Sequence, residues 1–315
     1  QARFPLVVMA GHVPFLQLAG GFGTADLQVR GALGAPEIRG QLQVKDGKAA
    51  LSGVPAPFEE VQASVELEGE RAVIRSLQGR IAGGDIRATG DVSWRGDEWS
   101  FRTTFQEEGG RAEELLAGLH TGKGEVTGTL SLGGTLASRG RGQEGFRPNL
   151  DGRLKLVMLD GQLGRQTLVV RALSLMNLGE LLDARTSGIS SPGMPYQRLT
   201  GDIASERCVA VTENLFLESR AFHANAQGQV SLANETVEMD VAVKPLRTVD
   251  TLVTKVPVVG RLLGGKDGAV LAVFCRVSGP LRDPKVAPLP LKSIRPEVFG
   301  TFRRLLQIPE AATGP

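Results

Sequence analysis

The chain has 315 residues and a mass of 33.4 kDa, enough for one large or two ordinary domains with a sizeable core. Its 36 Lys and Arg against 34 Asp and Glu leave a formal charge of +2, which excludes a protein held to nucleic acid by overall charge. A hydrophobic share of 41% excludes disorder, and 41 glycines, about 13% against a usual share of roughly 7%, follow no collagen period.

The first apolar window, Leu6 to Phe22, is broken by His12, Pro14, Gln17 and glycines, so it makes neither a membrane-spanning helix nor a signal peptide. The sequence begins in mid-pattern, and the expectation is the C-terminal part of a longer protein. From there period-two alternation predicts strand after strand. Leu27, Val29, Gly31 and Leu33 share one face, as do Ile38, Gly40, Leu42 and Val44, before a turn expected at Asp46-Gly47. Val65 and Leu67 follow, then Ile86, Ala88, Gly90, Val92 and Trp94, then Trp99, Phe101, Thr103 and Phe105. The habit returns at Val126 to Leu132, at Leu199 to Ile203, and at Val237, Met239, Val241 and Val243, whose opposite face reads Glu238, Asp240, Ala242 and Lys244.

Glycine recurs inside these strands, where it marks a bend or a close approach, and the pattern predicts one long sheet that must curl. Short connections such as Gly69-Glu70-Arg71 and Ala233-Asn234-Glu235 favour antiparallel hairpins. Helical spacing is rare: Ala112 to Leu119, Leu173 to Leu182, Val249 to Val259 where Pro257 must end or kink the helix, and an amphipathic segment from Val298 to Leu306. The Gly/Arg-rich stretch Ser138 to Gly145 reads as a linker. The expected organisation is therefore a β-repeat segment over 1–145, a second β-domain over 146–290, and an amphipathic helix and tail over 291–315.

Signals for chemistry are weak. Gly118 to Gly124 has three residues between its first two glycines and glycine after Lys123, whereas a phosphate-binding loop needs four and then Ser or Thr. Glu107-Glu108 and Glu113-Glu114 flank a helix start, where they favour its dipole. His12, His120 and His223 have no companions at metal-ligand spacing, and Cys208 and Cys275 read as small buried hydrophobes whose redox state the sequence leaves open. The expectation is a non-enzyme with no cofactor, no metal and no nucleotide or nucleic-acid partner. Charge is segregated, however. Residues 244–315 carry 12 Lys and Arg against 5 Asp and Glu, which reads either as a solvated basic surface or as a tail that meets anionic lipid head groups.

From Asn149 to about Pro309 an ordered series of phrases is similar to the AsmA-like C-terminal domain of the AsmA/YhdP/TamB group of bacterial envelope proteins. The phrases are Asp151-Gly152-Arg153-Leu154-Lys155-Leu156, Leu173-Ser174-Leu175-Met176-Asn177-Leu178 and Met194-Pro195-Tyr196-Gln197-Arg198-Leu199-Thr200-Gly201-Asp202. They continue with Val241-Ala242-Val243-Lys244-Pro245-Leu246, Lys255-Val256-Pro257-Val258-Val259-Gly260-Arg261 and Val277-Ser278-Gly279-Pro280-Leu281-Arg282-Asp283-Pro284. The first half resembles the looser β-repeat region that precedes this domain. The resemblance implies a mainly β fold, a long curled antiparallel sheet forming a repeating β-groove, with a few short helices and a C-terminal amphipathic helix. It implies a periplasmic protein tethered to the inner membrane by an N-terminal segment outside this sequence, conducting phospholipid in support of outer-membrane biogenesis.

On that expectation the groove is lined by Ile86, Val92, Trp94, Phe101, Phe105, Leu199, Ile203, Val209, Val211, Val237, Met239, Val241 and Val243. Arg247, Lys255, Arg261, Phe299, Phe302, Arg303 and Arg304 would meet a membrane surface or a membrane-protein partner. Val241→Asp is expected to block lipid while leaving the fold largely intact. The alternative is an envelope scaffold that recruits or chaperones outer-membrane protein assembly components by strand addition.

Overall fold

The computed structural model describes residues 2–10, 12–32, 35–117, 126–142, 145–164, 193–246, 260–262, 270–281 and 283–289. The described residues are mainly strand. The first strands are β1 (Ala2–Pro5), β2 (Leu16–Ala32), β3 (Ala35–Leu51), β4 (Phe58–Glu68), β5 (Arg71–Ile81), β6 (Gly84–Arg95), β7 (Glu98–Arg111) and β8 (Thr129–Arg141). They continue as β9 (Asp151–Gly164), β10 (Gly193–Glu206), β11 (Val209–Glu218), β12 (Phe222–Ser231), β13 (Thr236–Pro245), β14 (Gly260–Leu262), β15 (Val270–Pro280) and β16 (Lys285–Pro288). All sixteen join one antiparallel sheet that does not close, with neighbours in chain order up to β13, which then pairs β15. β14 and β16 both pair β15.

Two compact units divide the chain: residues 1–158 with 203–210, and residues 159–202 with 211–315. In the first unit the alternation of sequence becomes two chemically distinct faces. Gly69, at a φ of +63°, turns β4 into β5 within two residues and so fixes their register. The outer face carries ion pairs across neighbouring strands, among them Arg75 with Glu66 at 2.7 Å and Arg139 with Glu98 at 2.7 Å. The inner face carries the apolar rows. Inner-face glycines permit close packing of backbones: a Cβ at Gly90 would strike the Arg102 carbonyl oxygen, and one at Gly40 the carbonyl of Asp26.

This sheet curls. β2 and β7 lie five strand steps apart, about 24 Å in a flat sheet, yet Phe15, directly before β2, has its ring centroid 6.3 Å from that of Trp99 on β7. The first unit therefore curls as expected, and the described strands form the expected mainly β, antiparallel sheet.

Several local expectations differ. Asp46-Gly47 makes no turn: β3 runs through it, with Asp46 at a φ of +50° and a register shift against β4 between Val44 and Gly47. The pair that could reverse the chain instead absorbs an extra residue as a bulge. Ser138 to Arg141 belong to β8, and the buried Ser138 hydroxyl donates to the Phe146 carbonyl at 2.6 Å, so this stretch is no loose linker. Where a helix is expected over Ala112 to Leu119, the described residues form a single helical turn at Ala112–Leu115, with Glu113 and Glu114 in it. The helical segments Leu173 to Leu182, Val249 to Val259 and Val298 to Leu306 lie outside the described residues.

Candidate functional site

The register sets the inner face of the first unit out as rows that cross the strands. One row runs Gly40, Leu67, Ala72, Val92, Phe101 and Ser138 through β3 to β8. The next runs Leu42, Val65, Ile74, Gly90, Thr103 and Leu136. A third holds Val44, Ala63, Leu77, Ala88, Phe105 and Gly134. A folded core would bury such rows completely, but Val65, Leu67, Ile74, Leu77, Val92, Phe101 and Phe105 are only half-buried. On the same face of β2, Leu27 and Val29 are 43% and 66% exposed. Apolar surface left within reach of solvent on one side of a sheet adds little to a closed core, and this face is the candidate binding site.

Of the residues expected to line a groove, Ile86, Val92, Trp94, Phe101 and Phe105 stand together on this face across the β6–β7 pairing. Trp94 stacks on Trp99 with centroids 5.3 Å apart. Ile203 and Val209 also belong to this unit and are half-buried.

In the second unit Leu199 is half-buried and Val211 is exposed. Val237, Met239, Val241 and Val243 share one face of β13. Their partners across β12 are Val230, Gly228, Ala226 and Ala224. Val241 and Val243 are 4% and 0% exposed, and Cys275 and Val277 on β15 are equally enclosed. An Asp at position 241 would be an uncompensated buried charge, so the expectation that Val241→Asp spares the fold is corrected. On the opposite face Arg276 clamps Asp240 through two bonds, Nε to Oδ1 at 2.7 Å and Nη2 to Oδ2 at 3.1 Å. Neither cysteine forms a disulfide, and both are buried. Burial pushes the Cys275 thiol up to about 12.

Among the residues expected at a membrane, Arg247, Lys255, Phe299, Phe302, Arg303 and Arg304 lie outside the described residues. Arg261 sits in β14, opposite Leu271, rather than on a helix.

Sequence reading missed Glu107 as an interior group. It lies on the inner face of β7 beside Ile86 and Leu132, 3% exposed, and not at the helix start where the dipole would hold it. Its Oε1 accepts the Gly110 N–H at 2.6 Å, while Oε2 is buried with no partner. Desolvation pushes the carboxyl up to about 7 against the opposing backbone hydrogen bonds from Gly110 and Leu132, with the nearby Glu108 charge adding to the rise. The signal was there: residues 101, 103, 105 and 107 share a strand face, and Gly110 opposes no Cβ to the carboxyl.

Among the described residues no cluster of His, Cys, Asp or Glu could hold a metal ion, and no helix is long and apolar enough to cross a membrane. A family model described as YhdP protein matches residues 60–286, more than two thirds of the chain. The chain belongs to the YhdP family. That family consists of cell-envelope proteins, which gives this chain an envelope-related role. The YhdP match begins inside β4 and so takes in most of the half-open inner face as well as the β10 to β15 region. Searches of curated proteins and of solved structures find no match.

Proposed function

We propose that this YhdP-family chain is a segment of a periplasmic conduit that carries phospholipid along the inner face of its sheet, without catalysis and without a cofactor. The observation that carries this reading is the set of apolar rows through β3 to β8, left half-open where an ordinary core would be closed. The rows run across the strands, so an acyl chain lying on them passes from one strand to the next over a continuous apolar surface. A phospholipid with about 30 acyl CH₂ groups forgoes on the order of 24 kcal/mol of burial in bare water, at about 0.8 kcal/mol for each group. A trough removes most of that barrier by contact alone. Aliphatic side chains with few fixed polar partners suit a mobile chain better than a tightly fitted ligand.

The basic 244–315 segment is proposed to meet an anionic membrane surface or a membrane partner, each cation near such a surface contributing about 1 kcal/mol.

The test is site-specific photocrosslinking in a bacterial host. A photoreactive phenylalanine analogue at Leu67, on the inner face, should capture phospholipid. The same analogue at the exposed, outward Gln62 should not. Equal capture at both positions, or none at either, removes the conduit reading. A peptide captured at Leu67 in place of lipid would favour the envelope scaffold instead.

A further inference from the structure

The half-open inner face does not continue unobstructed. The row Leu67, Ala72, Val92 reaches Phe101, and there the chain lays its own rings across the path. Phe15 packs on Phe101 at 6.1 Å, on Trp99 at 6.3 Å and edge-on to Phe146 at 5.6 Å. Phe146, from the link between β8 and β9, also meets Phe101 at 5.9 Å. The wall therefore gathers rings from four separate places in the sequence: the turn before β2, the strands β6 and β7, and the β8–β9 link.

Phe15 does not stand alone. Its carbonyl accepts the Ser52 N–H at 2.9 Å, which ties it to the turn that follows β3. That turn leads to Ala56, buried against Ile81, Ala82 and Ile86, with Val54 beside it. The two turns form one strap over the inner face of β5 to β7. Neither turn is itself a rung of the sheet: the strap is held by ring contacts, apolar packing and single main-chain bonds. Rings and acyl chains are interchangeable fillers of an apolar site, since dispersion and burial have no directional requirement.

We infer that this strap is a gate: Phe15 occupies the place beside Phe101 that an acyl chain takes when lipid is conducted, and lipid passes when the strap lifts. The inference rests on the conduit reading and adds a regulated obstruction to it. The outer-face ion pairs and the sheet register have no part in the movement, so the gate opens without unpairing strands.

The test uses the only two tryptophans of the chain, Trp94 and Trp99, both in the wall. Vesicles containing phosphatidylcholine with brominated acyl chains are mixed with the purified full chain, and tryptophan quenching is read alongside lipid transfer to acceptor vesicles. Phe15→Ala is expected to raise the transfer rate several-fold and to at least double the quenching. Phe15→Leu, which keeps most of the apolar volume, should fall between Phe15→Ala and the native chain. Both variants should keep the native β-sheet circular dichroism.

Native-like transfer and quenching in a folded Phe15→Ala, or in Phe15→Leu should the alanine variant misfold, overturns the gate. So does lipid transfer by the native chain with no quenching of the wall tryptophans. Crosslinking at Leu67 separates the two failures: lipid captured there with no effect at Phe15 removes the gate alone, whereas no capture removes the conduit and the gate with it.

Discussion

At Glu107 a carboxyl sits where the strand pattern puts an inward side chain, enclosed among apolar neighbours with one oxygen unpartnered. Its folded-state pKa is about 7 against an ordinary value of 4.5. The native state therefore holds this proton more tightly than the unfolded state does. The contribution is fully present below about pH 4.5 and is lost as pH rises through about 7. The span corresponds to on the order of 3 kcal/mol at most. Urea unfolding of the native chain at pH 5 and pH 8 should show the higher stability at pH 5. Glu107→Gln keeps an oxygen for the Gly110 N–H and cannot ionise, so it should flatten that difference. An unchanged pH dependence in Glu107→Gln would place the titrating group elsewhere.

The same scale shows what single residues hid in the sequence. Asp46-Gly47 signals left-handed backbone, but a bulge and a hairpin turn both need that, and only pairing with β4 decides between them. Phe15 and Phe146 lie in turns with no periodicity to announce an inward side chain. Their meeting depends on curl over five strands, which no local pattern encodes.

Elements were far more legible. Alternation located β6, β7 and β13 and assigned their oily faces correctly as faces, because a period of two has only two phases. What alternation does not carry is how much covers each face. Val92 and Val241 have the same pattern, yet Val92 is half-buried while Val241 is enclosed between Ala226 and Cys275. The two should separate under the same substitution. Val92→Asp should fold and lose bound lipid, because its carboxylate can reach water. Val241→Asp should lose several kcal/mol or fail to fold. Thermal unfolding of both variants with lipid extraction checks this. Equal destabilisation would mean that the β6 face is a closed core after all.

Among the described residues the sixteen strands form one antiparallel sheet that remains open, and the chain belongs to a family of cell-envelope proteins. Composition foretold this architecture for a physical reason. Scarce aromatics and few helices leave little to cover a long sheet, and abundant glycine lets strands approach and bend. The basic segment beyond β13 gives the molecule its second asymmetry, one of charge along the chain.

Lipid held on the open inner face should survive purification of the chain. Native mass spectrometry with lipid extraction, on the chain purified from a bacterial host, tests it most directly. Phospholipid should copurify with the folded native chain and be clearly lost in Val92→Asp. A well-folded native chain that carries no lipid would contradict this and make the envelope scaffold the better reading.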